Sequence, residues 1–137
     1  GIEIDIIREK NGIIQVDYIN AGQHPPLVYL KDSRKFVELS GNQRVLGVLE
    51  TEYTAKEHTY YENLRLILTS DGAFEIFNEH NEILGETGLL AWISESIYMT
   101  PSEQKTFLMR KIESYAYGSG SLDDISILIA DIHPYKS

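Results

Sequence analysis

The sequence predicts an α+β domain built from antiparallel sheets flanked by helices. Three observations lead there. Segments in the first half alternate apolar and polar residues with the two-residue period of half-buried strands. After Asp71-Gly72 the apolar spacing lengthens to the helical period. One further apolar run, Ile125-Ser126-Ile127-Leu128-Ile129-Ala130, then returns to strand character. Strands grouped together, then helices, fit an antiparallel sheet better than the alternating units of a parallel one.

Ile2, Ile4 and Ile6 alternate with Glu3 and Asp5, and Ile14, Val16 and Tyr18 alternate with Gln15 and Asp17. Asn11-Gly12 lies between them and tolerates positive φ, so a β-hairpin is expected over residues 2–20. Leu27–Leu30 and Lys35–Leu39 form a second expected pair around the turn Lys31-Asp32-Ser33-Arg34. Residues 40–52 read as a loop in which Val45-Leu46-Gly47-Val48 packs back, and residues 53–60 as a further strand. Leu64–Thr69 is apolar on nearly both faces and is expected to be central.

Ala73, Phe74, Ile76 and Phe77 suit a short helix, and Leu89, Leu90, Trp92, Ile93 and Ile97 a second one starting near Glu86. A third helix has a marked start: Thr100 as N-cap, Pro101 at the first helical position and Glu103 at the capping-box position. Its apolar face is Phe107, Leu108, Ile112, Tyr115 and Ala116, and Gly118-Ser119-Gly120-Ser121 ends it. Trp92, Tyr115 and Tyr117 read as core residues rather than a stacking platform.

The 137 residues suffice for one core, and the whole of 1–137 is expected to be a single domain. Gly1 has no Met before it, which predicts a chain cut at its N-terminal side from a longer one. The composition, 42% hydrophobic and 24% charged, is that of an ordinary globular protein. The net charge of −9 argues against a nucleic-acid partner and against an anionic membrane surface. No apolar run reaches membrane-spanning length. With no cysteine there is no disulfide framework, thiolate zinc site or cysteine nucleophile, which fits a cytoplasmic location.

Two acidic positions stand out. Asp71 ends the central strand in Thr69-Ser70-Asp71-Gly72, and Asp123-Asp124 precedes the last strand. If those strands are antiparallel neighbours, the end of one and the start of the other share a sheet edge. Carboxylates gathered there suit Mg²⁺ or Mn²⁺, hard ions that take oxygen ligands. Asp-Gly and an Asp before a strand are also ordinary turn residues. His24, His58, His80 and His133 have no metal-like spacing and read as surface or turn residues. No Gly-x-Ser-x-Gly elbow accompanies Ser70, and no Gly-Lys-Ser/Thr follows the Gly118-Ser119-Gly120 run.

From Asn20 onward the chain resembles the C-terminal part of the SpoIIE-like branch of the PPM-type, protein phosphatase 2C-like, bacterial serine/threonine phosphatases. Asn20-Ala21-Gly22-Gln23-His24-Pro25-Pro26-Leu27 resembles the family's Asn-Ala-Gly-His-x-Pro-Pro segment, with Gln23 where the family often has His. Val45-Leu46-Gly47-Val48 resembles its Leu-Gly loop. Ile67–Glu75 resembles the strand running into Thr/Ser-Asp-Gly, and Leu84-Gly85 the Phe/Leu-Gly that follows. Leu122-Asp123-Asp124-Ile125-Ser126-Ile127-Leu128 resembles its closing Asp-Asp-Ile/Met-Thr strand. Each segment is weak alone, and the four in order are more specific.

The resemblance implies an α-β-β-α sandwich with two Mn²⁺ or Mg²⁺ ions at one end of its sheets. Asp71 and Asp123 are then the metal ligands, with Gly72 and Asp124 beside them. It also implies hydrolysis of phosphoserine or phosphothreonine on a regulatory protein such as an anti-sigma-factor antagonist, in signalling under a sensor or receiver domain. The family's first motif, a Gly-Asp-Gly-like segment whose Asp bridges the metals, does not precede Asn20 here. This chain alone is therefore expected to be inactive. Its cut strand, with Ile2, Ile4 and Ile6, is expected to pair with a second copy as a homodimer. The rival reading is a non-catalytic interaction module on a degenerate phosphatase fold.

Overall fold

The computed structural model describes residues 2–9, 12–20, 24–39, 43–46, 51–53, 59–120 and 125–135. Nine strands and two helices are described, and the sheets are antiparallel throughout their paired registers. The chain divides into two compact units, Gly1–Leu68 with Ala130–Ser137, and Thr69–Ile129.

In the first unit, β1 (Ile2–Arg8) and β2 (Ile14–Asn20) form the expected hairpin, with Ile2 opposite Asn20 and Arg8 opposite Ile14. Gly12 sits in its connection at φ 82°, a left-handed value that costs other residues strain. β3 (Leu27–Leu30) and β4 (Lys35–Glu38) form the second pair. The Glu62 carboxylate stitches their turn, accepting from the Asp32 and Ser33 amides and the Ser33 hydroxyl.

The segment expected to be a loop is instead largely paired. β5 (Gln43–Leu46) lies against β4 and β6 (Thr51–Tyr53) against β5. Neither run alternates cleanly, so its strand character comes from the neighbour that binds its backbone. The strand expected over 53–60 contracts to β7 (Thr59–Tyr60), which pairs with β2.

β8 (Leu64–Thr69) is central, between β3 and β9 (Ile127–Ile132). The strand orders are β1-β2-β7 in one sheet and β6-β5-β4-β3-β8-β9 in the other. Ile14, Val16 and Tyr60 from the first sheet share one buried cluster with Val28, Leu30, Val37, Leu64 and Leu66 from the second. The two sheets thus bury their apolar faces on each other, the reason the strand sequences alternate. β8 departs from alternation because Arg65 and Ile67, on its opposite face, are buried too.

In the second unit the short helix expected at Ala73–Phe77 is a single 3-10 turn, Asp71–Ala73, followed by a bridge between Phe77 and Ile83. The Asn78 side chain explains the difference: its Oδ1 accepts from the amides of His80 and Glu82, a local bonding that competes with a helix. Helix α1 (Gly85–Glu95) and helix α2 (Pro101–Ala116) follow as expected. Leu89 and Ile93 of α1 and Leu108, Ile112 and Ala116 of α2 are buried. Buried Gln104 links the helices, its amide donating to Ile93 O and Ser96 Oγ, both at 3.1 Å.

Candidate metal centre

β8 is an internal strand, buried over Leu64–Ile67 and half-buried at Leu68 and Thr69. Ser70 is still extended, at φ −71° and ψ 158°. The chain then turns sharply: Ala73 N donates to Ser70 O at 3.1 Å and Phe74 N to Asp71 O at 3.0 Å. Ala73 and Ile76 are fully buried and anchor this turn. Asp71 opens it, half-buried, and its carboxylate makes no hydrogen bond or ion pair to another described residue. Gly72 lies inside the 3-10 turn, where φ is negative. Left-handed freedom is therefore not what that position uses, contrary to the ordinary reading of Asp-Gly.

The start of β9 is tied to the same point by two reciprocal bonds. Ser70 N donates to Ser126 O, and Ser126 N donates to Ser70 Oγ, each at 2.9 Å. Five residues along, Arg65 reaches Asp131, so β8 and β9 run in opposite directions, which is the condition for a shared sheet edge. The closing strand begins at Ile127, two residues later than expected, because the Ser70 hydroxyl takes up the Ser126 amide. Asp123 and Asp124 lie outside the described residues, as do Gln23, Gly47 and His58.

On this side the described residues offer one half-buried carboxylate, that of Asp71. Leu84-Gly85 also gains a physical account. Gly85 has φ 69° and donates its amide to Phe74 O at 3.0 Å, closing the segment that begins with the Asp71 turn. The His80 side chain is 74% exposed, and His133 Nδ1 lies 2.8 Å from Asn63 Oδ1. Tyr117, expected in the core, is 81% exposed.

Sequence reasoning missed Asp131. It accepts a forked pair of bonds from Arg65 and an ion pair from Lys31. The only signal was an arginine inside an otherwise apolar central strand, which calls for a counter-charge nearby.

The architecture defines the class first: an antiparallel α+β domain whose central strand ends in a Ser-Asp-Gly turn beside the start of the closing strand. The family model of Stage II sporulation protein E (SpoIIE) matches residues 10–133, and the chain belongs to that family of phosphatase-type domains. No curated protein and no solved structure matches. Among the described residues no helix is long and apolar enough to cross a membrane.

Proposed function

We propose that the chain forms the C-terminal part of a metal-dependent protein phosphatase domain that hydrolyses phosphoserine or phosphothreonine on a regulatory protein. The observation that supports this most is the Ser70–Ser126 tie. It fastens the residue before Asp71 to the strand that follows Asp123-Asp124, in a chain of the SpoIIE family. Asp71 and Asp123 are the proposed ligands of Mn²⁺ or Mg²⁺, with Gly72 and Asp124 beside them. When bound, such ions supply an activated water and offset charge on the phosphoryl oxygens.

The chain's own residues contribute position. Ser70 precedes Asp71, and its hydroxyl accepts from the Ser126 amide, which holds the start of the closing strand beside it. A phosphorylated anti-sigma-factor antagonist is the proposed substrate, a sensor or receiver domain the proposed upstream partner, and the cytoplasm the proposed location.

The test uses the chain joined to an upstream Gly-Asp-Gly-like segment, assayed on a phosphoserine peptide with Mn²⁺. Asp71→Asn keeps the size and removes the charge. It should lower turnover by roughly a hundredfold or more and weaken Mn²⁺ binding, with circular dichroism unchanged. Near-normal turnover by the folded variant overturns the metal role. Binding of the regulator without turnover, in the parent protein itself, replaces the enzyme with a non-catalytic interaction module.

A further inference from the structure

We propose that a concavity between the Asn78–Glu82 loop and the C-terminal end of α2 is a binding site for an arginine side chain presented by a partner protein. It measures about 380 Å³, and its lining includes Trp92, Tyr115, Tyr117, Glu79, His80 and Lys111. The rings of Trp92 and Tyr115 stand 5.7 Å apart at 74°, so they form two walls of a corner. That corner is held in place. The Tyr115 hydroxyl donates to Glu82 O at 2.9 Å, and Asn78 Oδ1 fixes the loop through the amides of His80 and Glu82. Tyr117 adds a third ring that is 81% exposed, although an aromatic ring gains by burial.

The charge of the site selects a cation. Ring faces carry negative potential and attract guanidinium or ammonium groups. Glu79 brings a carboxylate to the backbone next to Tyr117: a methyl group added at Gly118 would meet its Oε2 at 3.7 Å. The chain as a whole carries −9. Lys111 also lines the concavity, its Nζ lying 5.6 Å from the centroid of the Phe107 ring, and its positive charge opposes a cation there. His80 Nε2 stands 3.7 Å from Glu79 Oε1 and competes for it only when protonated. An open corner favours arginine over lysine. The planar guanidinium is weakly hydrated, stacks on rings and offers Glu79 a fork of donors, whereas a strongly hydrated ammonium loses more water for the same contact.

Trp92 is the sole tryptophan of the chain, so its fluorescence reports on this corner alone. The probe is the peptide Gly-Arg-Arg-Gly, with its neutral citrulline counterpart as control, titrated at fixed ionic strength. The arginine peptide should shift Trp92 emission saturably and bind several-fold more tightly than the citrulline peptide. Glu79→Gln and Tyr117→Ala, both at exposed positions that tolerate substitution, should each weaken binding several-fold. Lys111→Ala should not weaken it. Equal binding of the citrulline peptide, absence of saturation, or titrations unchanged by both Glu79→Gln and Tyr117→Ala overturn the proposal. None of these readouts depends on the phosphatase reading.

Discussion

The Asp131 carboxylate holds two cations. Arg65 donates from Nε at 2.7 Å and from its terminal nitrogen at 3.0 Å, and Lys31 Nζ lies 3.0 Å away. Arg65 is only 3% exposed, so it requires such partners. Burial pushes the Asp131 carboxyl upward, but the hydrogen bonds and charges of Arg65 and Lys31 outweigh it and hold the group below its ordinary 3.8. A depressed folded value means that the stabilisation is full above 3.8 and is lost as pH falls through the folded value. Asp131→Asn should therefore lower stability at neutral pH by about 2–3 kcal/mol, read as a urea midpoint. The gap from the parent chain should narrow below pH 3.8, and a gap independent of pH would contradict the ionic account.

At the scale of elements, α2 shows how local chemistry sets a boundary. Thr100 Oγ1 accepts from the Glu103 amide at 3.2 Å, and Glu103 Oε1 accepts from the Thr100 amide at 3.1 Å. Bonds from the Thr100 backbone and side chain hold the Glu103 carboxyl below its ordinary value. Thr100→Ala should cost about 1 kcal/mol in thermal denaturation, and Thr100→Ser should restore most of it. Equal stability of the two variants would assign the helix start to Pro101 and to packing instead. All the parts of this cap lie within four residues, which is why the sequence displayed it. β5 and β6 are the opposite case. β4 supplies the backbone bonds that make β5 a strand, β5 in turn supplies those of β6, and no local pattern announced either.

At the scale of the molecule, β1 is the edge of its sheet, with Ile6 38% and Ile7 45% exposed. An apolar edge offers unpaired backbone groups to another strand. We expect the chain to self-associate through β1 at high protein concentration and Ile7→Lys to return it to a monomer, since an edge lysine opposes strand addition. Sedimentation velocity decides this: a parent chain that stays monomeric at every concentration removes β1 as the contact.

The sequence by itself determined what short-range physics controls. Alternation marked the β1–β2 hairpin, a turn between apolar runs the β3–β4 pair and a continuous apolar run β8, helical spacing and the capping box marked α1 and α2, and Ser-Asp-Gly singled out Asp71. Only the tertiary structure decided what depends on residues distant in the chain. It set β8 antiparallel beside β9, took Ser126 from the expected strand to bond Ser70, and gave Arg65 its counter-charge in Asp131. It also brought Trp92, Tyr115, Tyr117 and Glu79 to one corner, from two helix segments and a loop. Spacing along a chain encodes which face a residue occupies, but not which distant partner will meet it, because that choice is made by the burial of whole elements together.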